Sequence, residues 1–274
     1  MTTEGTDLST RVVLTEVRKE YVTSDETVVA LSSTSLTFEP EEFVCVVGPS
    51  GCGKTTLLQM LAGFQTPTEG TIMVGNTHIK GPDPDRGVVF QHSNLYPWLS
   101  VRGNVEFGLK MRGVPRRERA DEAERMLELV GLEQYGNRKP YELSGGQQQR
   151  CQIARVLITD PRIILMDEPF GALDAMTRER LQLELLELWR ERRKTVFFVT
   201  HSVEEAIFLG TRVIVMGARP GRVIYDRKVW FKKGSHRSTD TEIRSTPEFV
   251  AMRDEVAAKI YEAQGLIGAT VALH

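Results

Sequence analysis

Phe43-Val-Cys-Val-Val-Gly-Pro-Ser-Gly-Cys-Gly-Lys-Thr55 decides the fold. The apolar run Phe43–Val47 stops at Gly48, which suits a strand buried on both faces of a parallel sheet. From Gly48 to Thr55 the residues fit G-x-x-x-x-G-K-[ST], and Leu57, Leu58 and Leu61 then recur at helical spacing until Gly63. The order strand, loop, helix gives that pattern its meaning. Glycines let the backbone curl so that several N–H groups face one phosphate, and the positive helix end favours the anion. Gly48, Pro49, Ser50, Gly51, Cys52, Gly53, Lys54, Thr55 and Thr56 are the expected nucleotide contacts. Lys54 would reach the β and γ phosphates, and Thr55 would ligate magnesium. Cys52 is free to be any side chain, because the backbone does the binding.

Outward from this loop, residues 11–17 and 28–38 hold the alternating and β-branched stretches of antiparallel strands, an opening β-layer. Further strands are expected at 71–74 and 87–90. Ala120, Ala123, Leu127 and Val130 share one helical face, with Gly131 placed as a C-cap, so the middle of the chain is expected to be helical. Strands return at 163–166 and 196–199, around a helix containing Leu181, Leu185, Leu188 and Trp189. Residues 213–216 and 222–225 flank a Pro-Gly turn and predict a hairpin. Residues 232–241 form a polar linker, and Thr246-Pro-Glu248 starts a last helix with Phe249, Arg253, Val256 and Ile260 at successive turns.

Two more segments carry chemistry. Ile163-Ile-Leu-Met-Asp-Glu-Pro169 places two carboxylates at the C-terminal end of a buried strand, where such sheets bind nucleotides. Asp167 can hold magnesium, and Glu168 can polarise an attacking water as a general base. Without the phosphate loop the pair would be taken for helix-capping acids. Leu143-Ser-Gly-Gly-Gln-Gln-Gln-Arg150 opens a helix running through Ile153, Val156 and Leu157, a second phosphate-binding helix end.

Together the phosphate loop, Leu-Ser-Gly-Gly-Gln, the Asp-Glu pair and the later His201 resemble the ABC ATPase family, from about Tyr21 to Val223. The resemblance implies an α/β fold with a P-loop NTPase (RecA-like) core, an antiparallel β-subdomain and an inserted α-helical subdomain. The expected domains are an ATPase domain over 8–228, its helical insertion near 92–160, and a short C-terminal extension over 229–274. It implies that Gln91 senses magnesium and the γ-phosphate, that His201 is the switch histidine, and that Tyr21 stacks on adenine. Magnesium would then be held by Thr55, Gln91 and Asp167, and the catalytic set would be Glu168, His201, Gln91 and Lys54. Ser144, Gly145, Gly146 and Gln147 would close in trans over the ATP of a second ATPase subunit, most simply an identical chain, and Asp174 of the D-loop would communicate between subunits.

Residues 81–91, Tyr96-Pro-Trp-Leu99 and Ala218-Arg-Pro-Gly-Arg222 are similar to the nitrate, sulfonate and taurine importer branch. That branch implies a transmembrane permease, reached by an extracytoplasmic solute-binding protein, with the chain on the cytoplasmic, inner face of the cell membrane. An exporter ATPase, a soluble ABC ATPase acting on ribosomes or DNA, and a regulator without turnover are the alternatives. Against the family pattern, Glu41 stands where glycine is usual, Ser202 where aspartate is frequent, and Gln147 where the branch often has methionine.

Composition sets the outer bounds. The 274 residues are 41% hydrophobic and 26% charged, an ordinary globular balance for a chain able to bury a substantial core. A net charge of −2 argues against a surface built to neutralise nucleic-acid phosphates, so no nucleic-acid partner is expected. No apolar run approaches the roughly 20 residues that span a bilayer, and the first residues do not resemble a secretion signal. Cys45, Cys52 and Cys151 lack the spacing of a zinc site and are too few for a disulfide framework.

Overall fold

The structure is a computed structural model that describes residues 8–22, 24, 26–229 and 242–264. These fall into two compact units, one running to Asp83 and resuming at Arg193, the other Pro84–Arg192. The linker expected at 232–241, with basic residues Lys232, Lys233 and Arg237, lies outside the described residues.

In the first unit, β1 (Val12–Val22) and β2 (Thr27–Phe38) pair antiparallel, and β4 (Glu69–Val74) and β5 (Thr77–His78) extend the sheet in the order β2-β1-β4-β5. This is the opening β-layer expected from the sequence, with longer strands. Its second sheet is built on β3 (Phe43–Val47), whose five residues are all buried. β3 runs parallel between β8 (Thr195–Val199) and β9 (Arg212–Gly217), so both faces and both edges are covered and an uninterrupted apolar run is what the position requires. Each large side chain buried there contributes about 1.5–3 kcal/mol. Phe43 meets Phe198 with ring centroids 5.8 Å apart, and Phe38 meets Phe197 at 5.5 Å. β9 returns antiparallel as β10 (Arg222–Lys228), the predicted hairpin.

Helix α1 (Lys54–Ala62) follows β3 through the glycine loop and ends on Gly63 at φ 80°. The loop that carries His201 leaves β8 and enters α6 (Val203–Leu209). A C-terminal helix, α7 (Pro247–Ala263), starts as its Thr246-Pro-Glu sequence predicts. The Thr246 hydroxyl accepts the Phe249 N–H at 3.3 Å. Phe249, Met252 and Val256 are its buried residues, so Met252 joins the predicted stripe and Ile260 sits at its margin. The helix packs on α6 and β9.

In the second unit β6 (Arg86–Val89) pairs parallel with β7 (Ile163–Asp167), joined through helices α2 (Val101–Met111), α3 (Arg116–Leu129) and α4 (Gly145–Leu157). Ala123, Leu127 and Val130 are buried as the α3 pattern predicts, and Gly131 takes φ 64° after the helix. The fully buried face of helix α2 holds Val101, Val105 and the polar Asn104. That amide accepts the Tyr96 N–H at 2.7 Å and donates to the carbonyls of Tyr96 and Ser100. Helix α5 (Ala175–Arg192) buries Leu181, Gln182, Leu185 and Leu186, whereas Leu188 and Trp189 are only half-buried. Gln182 shares the inward face with the three leucines.

Candidate functional site

The phosphate loop takes its shape from glycine. Gly48, Gly51 and Gly53 have φ of 153°, 76° and 89°. A Cβ on Gly48 would lie 2.3 Å from the Met216 carbonyl oxygen, and one on Gly53 would lie 2.7 Å from that of Ala30. Side chains are therefore excluded on both steric and conformational grounds. Gly53 is the N-cap of α1 and offers no side-chain acceptor, which leaves the helix's first N–H groups directed at an incoming anion. Lys54 is buried, and its ammonium donates to the carbonyls of Gly48 at 2.8 Å and Pro49 at 3.0 Å. A curled loop, an uncapped helix end and a held cation form a cradle suited to an anion such as phosphate.

Cys52 is fully buried beside Lys54, with Sγ 3.7 Å from the ammonium. Burial pushes its thiol pKa up, and the Lys54 charge opposes this only in part. The thiol is therefore kept protonated, the opposite of the depressed pKa of a redox cysteine. Tyr21, at the β1 end paired to Val28, keeps its ring half-exposed and donates its hydroxyl to Gln65 Oε1 at 2.6 Å.

His201 follows β8, the parallel neighbour of β3, so it emerges at the same strand ends as the phosphate loop. Its loop is fixed from both sides. The Thr200 N–H donates to Val46 O at 3.1 Å, and the buried Thr200 hydroxyl donates to buried Glu205 while accepting the Ser202 N–H at 3.0 Å. Ser202 caps α6 by accepting the Glu205 N–H at 3.3 Å. Aspartate serves as well as serine at an N-cap, which accounts for the departure seen at position 202. Thr200 and Glu205 had given no signal in the sequence.

The second unit carries the carboxylates. Asp167 ends the buried strand β7, and Glu168 follows with φ 46°, a left-handed conformation costly for a non-glycine residue and of the kind that gathers at functional sites. Gln91, just beyond β6, donates its amide to Glu168 Oε2 at 3.3 Å, so the structure brings these two predicted residues together. Asp174 caps α5, accepting the Thr177 N–H at 3.0 Å, and this bond holds its carboxyl below the usual range. At the start of α4 Ser144 and Gln147 form a reciprocal capping box. Gln147 N–H donates to Ser144 Oγ at 3.3 Å, and Ser144 N–H donates to Gln147 Oε1 at 2.9 Å. Gly145 has open space where a Cβ would be.

A family profile described as ABC transporter matches residues 31–171. The chain belongs to the ABC transporter family. It is 46% identical over 235 residues to the taurine import ATP-binding protein TauB of Roseobacter denitrificans, covering 86% of this chain and 88% of that one. Against the nitrate import ATP-binding protein NrtD of Synechocystis sp., identity is 43% over 247 residues, covering 89% and 93%. Among solved structures, the dimeric ATP-binding cassette MJ0796 in a post-hydrolysis state with ADP and Pi superposes with a TM-score of 0.73 at 37% identity. That match covers 80% of this chain and 99% of that one. The fold is therefore the P-loop NTPase fold expected from the sequence, and this ABC transporter subunit is an ATPase.

Proposed function

We propose that this ABC ATPase works as one of two subunits, most simply identical, beneath a transmembrane permease on the inner face of the membrane. It drives uptake of a small anionic or zwitterionic solute delivered by an extracytoplasmic binding protein. The observation that carries this reading is identity above 40%, over more than four-fifths of the chain, to taurine and nitrate import ATP-binding proteins.

The chemistry follows from the cradle. The N–H groups of Ser50 to Thr56 bind the β and γ phosphates, and Lys54 exchanges its carbonyl acceptors for phosphate oxygens. Tyr21 stacks on the adenine. Thr55 hydroxyl, Gln91 amide oxygen and Asp167 carboxylate are hard oxygen donors of the kind magnesium takes, so the residues fit that ion. When bound there, magnesium neutralises charge on the γ-phosphate. Glu168 orients and deprotonates the attacking water, His201 holds the reacting geometry, and Ser144 to Gln147 of a second chain close over the phosphates. Asp174 carries the state of one site to the other. ATP thus closes the pair and phosphate release reopens it, which is the stroke a permease can use.

The test is to capture the tagged chain from gently solubilised membranes and identify what accompanies it by mass spectrometry. A multi-span permease is the expected companion. Recovery from the soluble fraction alone, with ribosomal or DNA-repair proteins, would overturn the transport reading.

A further inference from the structure

Helix α4 does more than present the Ser144–Gln147 terminus. Gln148, Gln149, Gln152 and Arg155 leave it at spacings that keep them on neighbouring turns, and all four bind the segment that carries Gln91. Gln152 is fully buried; its amide donates to Phe90 O at 2.7 Å and accepts the Asn94 N–H at 2.9 Å. Gln149, 2% exposed, donates to the same Phe90 carbonyl at 3.1 Å. Gln148 accepts the Ser93 hydroxyl at 2.8 Å and donates to Pro140 O at 2.9 Å. Arg155 donates to Asn94 O at 2.6 Å and lies over the Tyr96 ring, 5.2 Å from its centroid. The backbone on both sides of Gln91 is thereby bonded to one helix, while the Gln91 side chain reaches Glu168.

We propose that Gln149 and Gln152 are positioning residues for Gln91, and that through them α4 ties the place of Gln91 to the Ser144-Gly-Gly helix end. A peptide group held by two buried amides cannot rotate without breaking both bonds, and each buried group left unpaired is costly. The side chain on the next residue is aimed by that peptide. Displacing the segment that carries Gln91 must therefore drag α4 with it. The inference rests on the proposed role of Gln91 at the γ-phosphate and goes beyond it, because it assigns work to side chains that touch neither nucleotide nor Glu168.

The experiment uses the full-length chain and compares Gln152→Met, Gln149→Met, Gln91→Ala and the double variant Gln91→Ala/Gln152→Met. Steady-state ATP turnover, ATP affinity and amide hydrogen exchange at residues 92–96 are measured for each. Gln152→Met should lower kcat about tenfold, as loss of an outer-shell hydrogen bond to a metal-site ligand does. ATP affinity should hold and exchange at 92–96 should rise. Added to Gln91→Ala, the same change should cost nothing more in kcat, since both act through one group. Gln149→Met, which leaves both bonds of Gln152 in place, keeps the test open if Gln152→Met does not fold; it should show the same pattern more weakly. Faster exchange with unchanged kcat, or losses that multiply in the double variant, would overturn the proposal while leaving Gln91 its role. Wild-type turnover in Gln91→Ala would overturn the reading of Gln91, and the inference with it.

Discussion

Glu41 shows what one residue can reveal about its backbone. It adopts φ 64° in the turn between β2 and β3, a conformation that costs an L-residue about 1–2 kcal/mol and a glycine nothing. The family's usual glycine at this place has a conformational cause, and no phosphate contact is needed to explain it. The Glu41 carboxylate pairs with Arg193 at 3.4 Å, and a pairing between two solvent-exposed groups is worth little. Its N–H bond to Thr195 Oγ1 at 3.1 Å is backbone and survives substitution. Glu41→Gly should therefore stabilise the chain by about 0.5–1 kcal/mol after the added freedom of the unfolded glycine is deducted. Urea melts of both proteins would show it as a higher midpoint; a lower midpoint would mean that the carboxylate does more than the geometry suggests. At this scale the sequence was legible in position: Gly48 and Lys54 shape the loop, Asp167 ends β7 and His201 follows β8, each where its motif puts it. Thr200, Glu205, Gln149 and Gln152 were illegible because their partners are backbone groups distant in sequence, and no local pattern marks them.

Elements were readable where burial alone decided them. β3, β7 and β8 are wholly buried and are written as apolar runs. The helices α2, α4 and α5 each also bury a polar amide that no apolar period marks, although Ile153, Val156 and Leu157 of α4 are buried as their spacing predicts. In α4 the buried face also holds Cys151, whose thiol burial pushes up to about 12 from an ordinary value of 9.0. The unfolded thiol ionises first, so the folded state binds the extra proton between these values. Stability supplied by this group is present below pH 9 and falls away as pH rises toward 12. Cys151→Ala should flatten the decline of the melting temperature between pH 8.5 and pH 11 relative to wild type. Parallel curves displaced by a constant amount would show that the thiol does not ionise on unfolding.

For the whole molecule, the two units divide the machinery. The phosphate loop, Tyr21 and His201 belong to one, while Gln91, Asp167, Glu168, Asp174 and the Ser144–Gln147 helix end belong to the other. Among the described residues no helix is long and apolar enough to cross a membrane. In the proposed arrangement, a chain with one phosphate loop and one Ser-Gly-Gly helix end completes two sites by pairing with another, and ATP is the ligand that should drive that pairing. The most direct measurement is sedimentation velocity of the full-length Glu168→Gln chain with and without magnesium-ATP, alongside phosphate release. Loss of the general base should lower turnover on the order of 100-fold or more and trap the closed state. The expected result is one chain per particle without ATP, two with it, and almost no phosphate released. A single-chain particle under both conditions with ATP demonstrably bound, or undiminished phosphate release, would contradict the ATP-closed dimer and the role of Glu168 within it.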